Sequence, residues 1–137
     1  MKRVLTYGTF DLFHIGHLNI LRRAKELGDY LIVGVSTDEY CKTKGKIPVY
    51  RYEDRKKIVD AIRYVDETFP EQSLTADKIA DVKKYHPDVV VWGDDWKGKF
   101  DFLRDEGVEV IYLPRTPEIS TSKVKDDLSN PNNKFKC

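Results

Sequence analysis

Two histidines three residues apart, His14 and His17, enclose a glycine in the string His14-Ile15-Gly16-His17. The string follows a short β-rich run ending at Gly8 and precedes a stretch with helical spacing, which places it at a strand-to-helix turn. A helix start exposes unpaired N–H groups and the positive end of the helix dipole. Both attract phosphate oxygens, and a glycine lets phosphate approach the backbone closely. Imidazoles add donors that are neutral or cationic as the ligand demands. The pattern reads as a phosphate clamp. A shared metal is the weaker reading, because no third histidine and no thiolate stands nearby. A pair of merely exposed or capping histidines is the least favoured in this context.

A second candidate is Arg115-Thr116-Pro117-Glu118-Ile119-Ser120-Thr121-Ser122, which precedes the last helical pattern. Ser120 or Thr121 is a natural N-cap, and the loop amides face phosphate in the same way. A carboxylate at Glu118 would repel a polyphosphate unless it turns away or meets Lys123 or Lys125. Asp94, Asp95 and Trp96 directly follow a buried apolar run. Lys44 and Lys46 lie in a polar, Lys- and Gly-containing stretch from Thr37 to Pro48, read as a mobile loop without a regular element. On their own such lysines are ordinary solvated charges.

The elements that must hold these residues alternate. Val4, Leu5 and Tyr7 form a strand. Ile20, Ala24 and Leu27 have helical spacing, and Gly28 stops them. Tyr30–Ser36 is a buried strand, followed after the loop by a helix from about Tyr52 that turns Ile58, Ile62 and Val65 inward. A short strand is expected at Glu67–Phe69, a helix at Ala76–Tyr85, strands at Asp88–Gly93 and Val108–Leu113, a short helix near Phe100–Asp105, and a last helix at Ser120–Leu128. Alternation of this kind predicts an α/β fold: a single Rossmann-like domain with a parallel sheet flanked by helices, its ligands beyond the carboxyl ends of the strands. The domain is expected over residues 1–128, with residues 129–137 a polar, disordered tail. Tyr7 and Trp92 are read as core, Asp11 as fixing the first loop and Trp96 as packing its own loop.

The chain has 137 residues, 40% hydrophobic and 34% charged, enough for one core and too short for two domains. Its 24 Lys+Arg nearly balance 23 Asp+Glu. That argues against nucleic acid as a partner and leaves only local anion sites. Cys41 and Cys137 form no metal or disulfide pattern. No apolar run reaches the length of a membrane span, so the protein is expected to be cytoplasmic, with no membrane partner.

These residues carry a resemblance. The sequence resembles the HxGH nucleotidyltransferases and, more closely, the glycerol-3-phosphate cytidylyltransferases. The matching strings are Tyr7-Gly8-Thr9-Phe10-Asp11 with His14–His17, Ile62-Arg63-Tyr64-Val65-Asp66, Gly93-Asp94-Asp95-Trp96 with Gly98-Lys99-Phe100-Asp101-Phe102-Leu103, and Leu113-Pro114-Arg115-Thr116 with Ile119-Ser120-Thr121-Ser122. They extend over nearly the whole chain short of the tail. HxGH alone marks a superfamily that includes class I aminoacyl-tRNA synthetases; the combination with Arg-Thr-x-x-Ile-Ser-Thr is far more specific.

The resemblance implies attack of an acceptor phosphate on the α-phosphorus of CTP, with pyrophosphate leaving. Positioning and charge stabilisation would dominate, and no strong base is required of an anionic nucleophile. It implies His14, His17, Lys44 and Arg115 as catalytic. Nucleotide contacts would come from Thr9, Phe10, Ile15, Gly16, Arg63, Asp94, Thr116, Ile119, Ser120, Thr121 and Ser122, together with His14, His17 and Arg115. Acceptor contacts would come from Lys44, Lys46 and Lys78. Mg²⁺ would bind through the nucleotide phosphates, with no dedicated protein ligands. The product, CDP-glycerol, would serve a teichoic acid or capsular polymer, and the protein would be a homodimer. The alternative keeps the chemistry with another phosphorylated alcohol (a polyol, choline or ethanolamine phosphate) or with ATP. A non-catalytic dinucleotide-binding module is a different class, disfavoured by the missing G-x-G-x-x-G. A tRNA synthetase is disfavoured by size and charge.

Overall fold

A computed structural model of the chain describes residues 1–73, 76–116 and 120–129. Of the expected tail, residues 129–137, Ser129 belongs to the last helix, while residues 130–137 and the expected site residue Ile119, with Glu118 beside it, lie outside the described residues. Five parallel strands form one sheet in the order β3-β2-β1-β4-β5. They are β1 (Arg3–Gly8), β2 (Tyr30–Ser36), β3 (Glu67–Glu71), β4 (Val89–Gly93) and β5 (Glu109–Leu113). Helices α1 (Ile15–Glu26), α2 (Asp38–Thr43), α3 (Tyr52–Asp60), α4 (Ala76–Tyr85) and α5 (Thr121–Ser129) connect or follow them, with 3-10 turns at Asp94–Trp96 and Asp101–Glu106. The α/β fold with a parallel sheet is as expected. The chain winds outward from β1 to β3, then returns to lay β4 on the other side of β1. This reversal opens a crevice at the carboxyl ends of β1 and β4.

Strand alternation divides the core between two faces. Leu5 and Tyr7 of β1, Ile32 of β2 and Val90 and Trp92 of β4 face α4 and the second 3-10 turn, where Val82, Phe100 and Leu103 cover them. Val4, Leu31, Val33, Val89 and Val91 face the other way, under Leu21 and Ala24 of α1 and Val59 of α3. Each fully buried aliphatic chain contributes roughly 1.5–3 kcal/mol. Gly34 is required by this packing: a Cβ there would stand 2.6 Å from Tyr7 Cδ1 and 2.9 Å from Phe69 Cζ. Its absence lets the Tyr7 ring lie across β2 and stack on Trp92.

Three elements differ from expectation. The stretch after β2 contains a helix, α2, capped by Thr37 Oγ1 accepting the Tyr40 N–H at 3.1 Å and anchored by buried Tyr40 and Cys41. Helix α3 ends at Asp60, and its buried face is Arg55 and Val59 rather than Ile58; Ile62 and Val65 pack from the turn that follows. Strand β3 runs on to Glu71 through Pro70, which an edge strand tolerates because the missing N–H faces outward.

Candidate active site

The crevice is a cavity of about 610 Å³. On its α1 side His14 is the N-cap of the helix. His14 Nδ1 accepts the Gly16 N–H at 3.0 Å, and His17 Nδ1 accepts the His14 N–H at 3.2 Å. With each Nδ1 committed as an acceptor, the proton of a neutral ring resides on Nε2, so each ring offers an Nε2–H donor beyond the helix start. The rings stack with centroids 3.9 Å apart. Burial and the neighbouring His14 push the His17 pKa down to about 3, and burial also lowers that of His14. Both rings are therefore neutral donors at neutral pH, poised to gain charge when an anion arrives.

The loop ahead of them is tightly built. Phe10 adopts φ 55°, and its ring lies where a Cβ on Gly8 would stand, 2.8 Å away. Asp11, only 4% exposed, accepts the N–H groups of Val49 and Tyr50 at 2.7 and 2.9 Å, as its expected fixing role requires. The Asp11 carbonyl accepts the Thr121 hydroxyl at 2.9 Å, and Thr121 Oγ1 stands 3.5 Å from His14 Nε2. Asn19 and Arg23 of α1 bond Thr116 Oγ1 and the Pro114 carbonyl, so Pro114–Thr116 lies along the helix.

Arg55 joins the loops from beneath. Its side chain is fully buried and donates to the carbonyls of Thr9 at 2.8 Å, Ser36 at 2.7 Å and Tyr50 at 2.9 Å, and to Asp38 Oδ1 at 2.7 Å. Asp38 in turn accepts the Tyr52 N–H at the start of α3. One cation thus fixes the ends of β1 and β2 and the approach to α3.

On the α4 side the walls are Tyr7, Ser36, Tyr40, Glu71 and Trp92, and Lys44 lines the same cavity. Glu71 accepts from the Ser36 hydroxyl and pairs with Lys78 Nζ at 2.7 Å. Lys44 Nζ lies 4.2 Å from the centre of the Tyr40 ring, and burial lowers its pKa.

Of the residues expected at the site, Thr9, Phe10, His14, Gly16, His17, Lys44 and Lys46 line the cavity, as do Arg115, Thr116, Ser120, Thr121 and Ser122. Four described ones do not. Ile15 points outward and is 54% exposed. Arg63 lies exposed in the turn before β3, at the amino edge of the sheet and so opposite the cavity, its guanidinium 5.8 Å from the Tyr64 ring centre. Asp94 is exposed, and of the pair it is Asp95 that lines the cavity. Lys78 is fully buried behind Glu71 and donates to the Ser73 carbonyl at 2.6 Å. Ser36, Tyr40, Glu71 and Arg55 went unrecognised in the sequence. Polar residues ending buried strands, Ser36 and Glu71, were the available signal. Tyr7 and Trp92 are core and cavity wall at once.

A parallel sheet with a histidine-capped helix start at its switch point is the arrangement on the page, and the model of the family described as cytidylyltransferase-like matches residues 5–127. The chain belongs to that family of nucleotidyltransferases. It is 54% identical over 129 residues to the glycerol-3-phosphate cytidylyltransferase of Bacillus subtilis strain 168, covering 94% of this chain and 98% of that one. It is 56% identical over 128 residues to the glycerol-3-phosphate cytidylyltransferase of Staphylococcus aureus strain NCTC 8325, covering 93% and 96%. Among solved structures, the lipopolysaccharide core biosynthesis protein of Thermoplasma volcanium GSS1 superposes with a TM-score of 0.72 at 28% identity, over 85% of this chain and 98% of that one. The family expected from the motifs is borne out.

Proposed function

We propose that the protein transfers the cytidylyl group of CTP to glycerol 3-phosphate. An oxygen of the acceptor phosphate attacks the α-phosphorus, the bond to the bridging oxygen breaks, and pyrophosphate leaves with its electron pair. The observation that carries this reading is the pair of Nε2–H donors on His14 and His17 at the start of α1. Held by backbone hydrogen bonds, they meet charge developing on the phosphoryl oxygens without reorganising. Arg115 and the loop around Ser120–Ser122, where Thr121 stands beside His14, hold the polyphosphate, and Lys44, which lines the same cavity, takes the acceptor phosphate.

The nucleotide enters as its magnesium complex. Among the described residues no three His, Cys, Asp or Glu side chains cluster as metal ligands. A cation carried by phosphates and water suits that donor set, and it would neutralise charge on the departing pyrophosphate. We place the protein in the cytoplasm, where CTP and phosphorylated alcohols are found; among the described residues no helix is long and apolar enough to cross a membrane. A homodimer is supported by the exposed apolar side chains of Ile15, Ile47, Val49 and Tyr50 near the cavity. The activated glycerol phosphate would serve polymer synthesis, of a teichoic acid or a capsular glycan.

The test is pyrophosphate release from CTP, ATP, GTP and UTP against glycerol 3-phosphate, choline phosphate and ethanolamine phosphate. Turnover is expected with CTP and glycerol 3-phosphate. Turnover with ATP but not CTP, or with an amino-alcohol phosphate in preference to glycerol 3-phosphate, overturns the reading.

A further inference from the structure

Lys44, expected in a mobile loop, is fixed at both its backbone and its side chain. It is the C-cap of α2. The carbonyl of fully buried Cys41 accepts the N–H groups of Lys44 at 3.1 Å and Lys46 at 3.0 Å, and the Lys42 carbonyl accepts that of Gly45 at 2.9 Å. Gly45 takes φ 72°, so the helix ends in a Schellman motif, whose left-handed position suits a glycine. Lys42, Thr43, Gly45, Lys46 and Ile47 are exposed, and Lys44 is partly buried among them.

The side chain of Lys44 meets Tyr40, one helical turn earlier, with Nζ 4.2 Å from the ring centre. Tyr40 is itself held: it is 5% exposed, Thr37 Oγ1 accepts its N–H, and its carbonyl accepts the Thr43 hydroxyl at 2.7 Å. A ring face attracts a cation and, unlike a carboxylate, brings no negative charge to repel an incoming phosphate. A second ammonium, Lys78 Nζ, lies 5.7 Å from the same ring centre, but Glu71 pairs with it at 2.7 Å, so it does not drive Lys44 away. Tyr40 and Lys44 both line the cavity.

We propose that Tyr40 is a positioning residue for the transfer: its ring holds the Lys44 ammonium in the cavity before the acceptor arrives. A lysine has among the most rotamer freedom to lose on meeting a phosphate. Here much of that loss is incurred on folding rather than on binding. The acceptor phosphate then meets a placed charge in partly desolvated surroundings, where attraction is less screened than in water. This rests on the reading that Lys44 takes the acceptor phosphate.

The experiment is a double-mutant cycle of Tyr40→Leu and Lys44→Met, read as the KM for glycerol 3-phosphate and the KM for CTP. Tyr40→Leu alone should raise the KM for glycerol 3-phosphate about fivefold and leave that for CTP largely unchanged. Tyr40→Phe, which keeps the ring face, should recover most of the loss. In the Lys44→Met background Tyr40→Leu should have no further effect, because no ammonium remains to be placed. Effects that multiply in the double variant, or a Tyr40→Phe as impaired as Tyr40→Leu, overturn the proposal and leave Tyr40 a part of the core. If Lys44→Met raises the KM for CTP alone, the acceptor reading fails, and the same cycle judged on the KM for CTP decides the role of Tyr40 separately. Should Tyr40→Leu fail to fold, pentafluorophenylalanine in place of Tyr40 keeps the shape of Tyr40→Phe but reverses the charge distribution of the ring. A KM for glycerol 3-phosphate higher than that of Tyr40→Phe supports the proposal; an equal one overturns it.

Discussion

The Thr121 hydroxyl donates to the Asp11 carbonyl at 2.9 Å, across 110 residues of sequence. The same oxygen lies 3.5 Å from His14 Nε2, so the first residue of α5 fastens the loop that presents the histidines. Thr121→Val keeps the shape and removes the bond. A hydrogen bond of this kind contributes about 1 kcal/mol, or roughly fivefold in binding. Calorimetry should show a melting temperature lower by a few degrees, and steady-state kinetics a KM for CTP raised by up to about fivefold.

The histidines also set an acid limit. The folded His17 binds its proton only near pH 3, whereas the unfolded chain binds it near pH 6.5. Between those values the unfolded state holds more protons, so stability falls as pH drops from about 6.5 toward about 3. In His17→Asn the amide oxygen replaces Nδ1 as acceptor for the His14 N–H, and nothing titrates. Unfolding free energies from urea titrations at pH 4, 5, 6 and 7 should decline less steeply in His17→Asn than in the parent. Parallel profiles would show that His17 is not held neutral by the fold.

Arg55 offers the sharpest stability test. Arg55→Met keeps much of the apolar stem but abandons three buried carbonyls and Asp38. Loss of one partner of a buried charged network costs about 3–5 kcal/mol. Urea unfolding should show a loss in that range. Arg55→Lys, with a charge but no fork, should recover only part of it.

One substitution should stabilise. His86, exposed after the end of α4, has φ 51°, a left-handed conformation that glycine adopts without the Cβ penalty. His86→Gly is expected to add about 1 kcal/mol, raising the melting temperature by a few degrees with activity unchanged.

What the sequence made legible was local. Apolar runs such as Leu31–Val35 and Val89–Trp92 marked buried strands, and a helix was expected over roughly Ala76–Tyr85, where α4 lies. His14 and His17 stood out because their chemistry and their place at a helix start coincide. Helix α2 did not, since it buries only Tyr40 and Cys41, too few for a periodic signal. Pro70 made β3 look finished two residues early and so hid Glu71. Arg55, and the burial of Lys78, were obscured for a deeper reason. A buried cation is tolerated only because of its partners, and those of Arg55 include Thr9, 46 residues away, a relationship that no local pattern encodes.

The return of β4 to the flank of β1 also governs how the chain is made. Thr6 of β1 meets Val91 of β4 across 85 residues, and at about 5–20 residues per second that separation takes a ribosome roughly 4–17 s to supply. Through that interval one edge of β1, in the apolar heart of the future sheet, has no neighbour. A nascent chain is then both catalytically silent and open to wrong strand pairing, so slow translation between β3 and β4 would be expected to cost soluble yield before it costs activity per folded molecule.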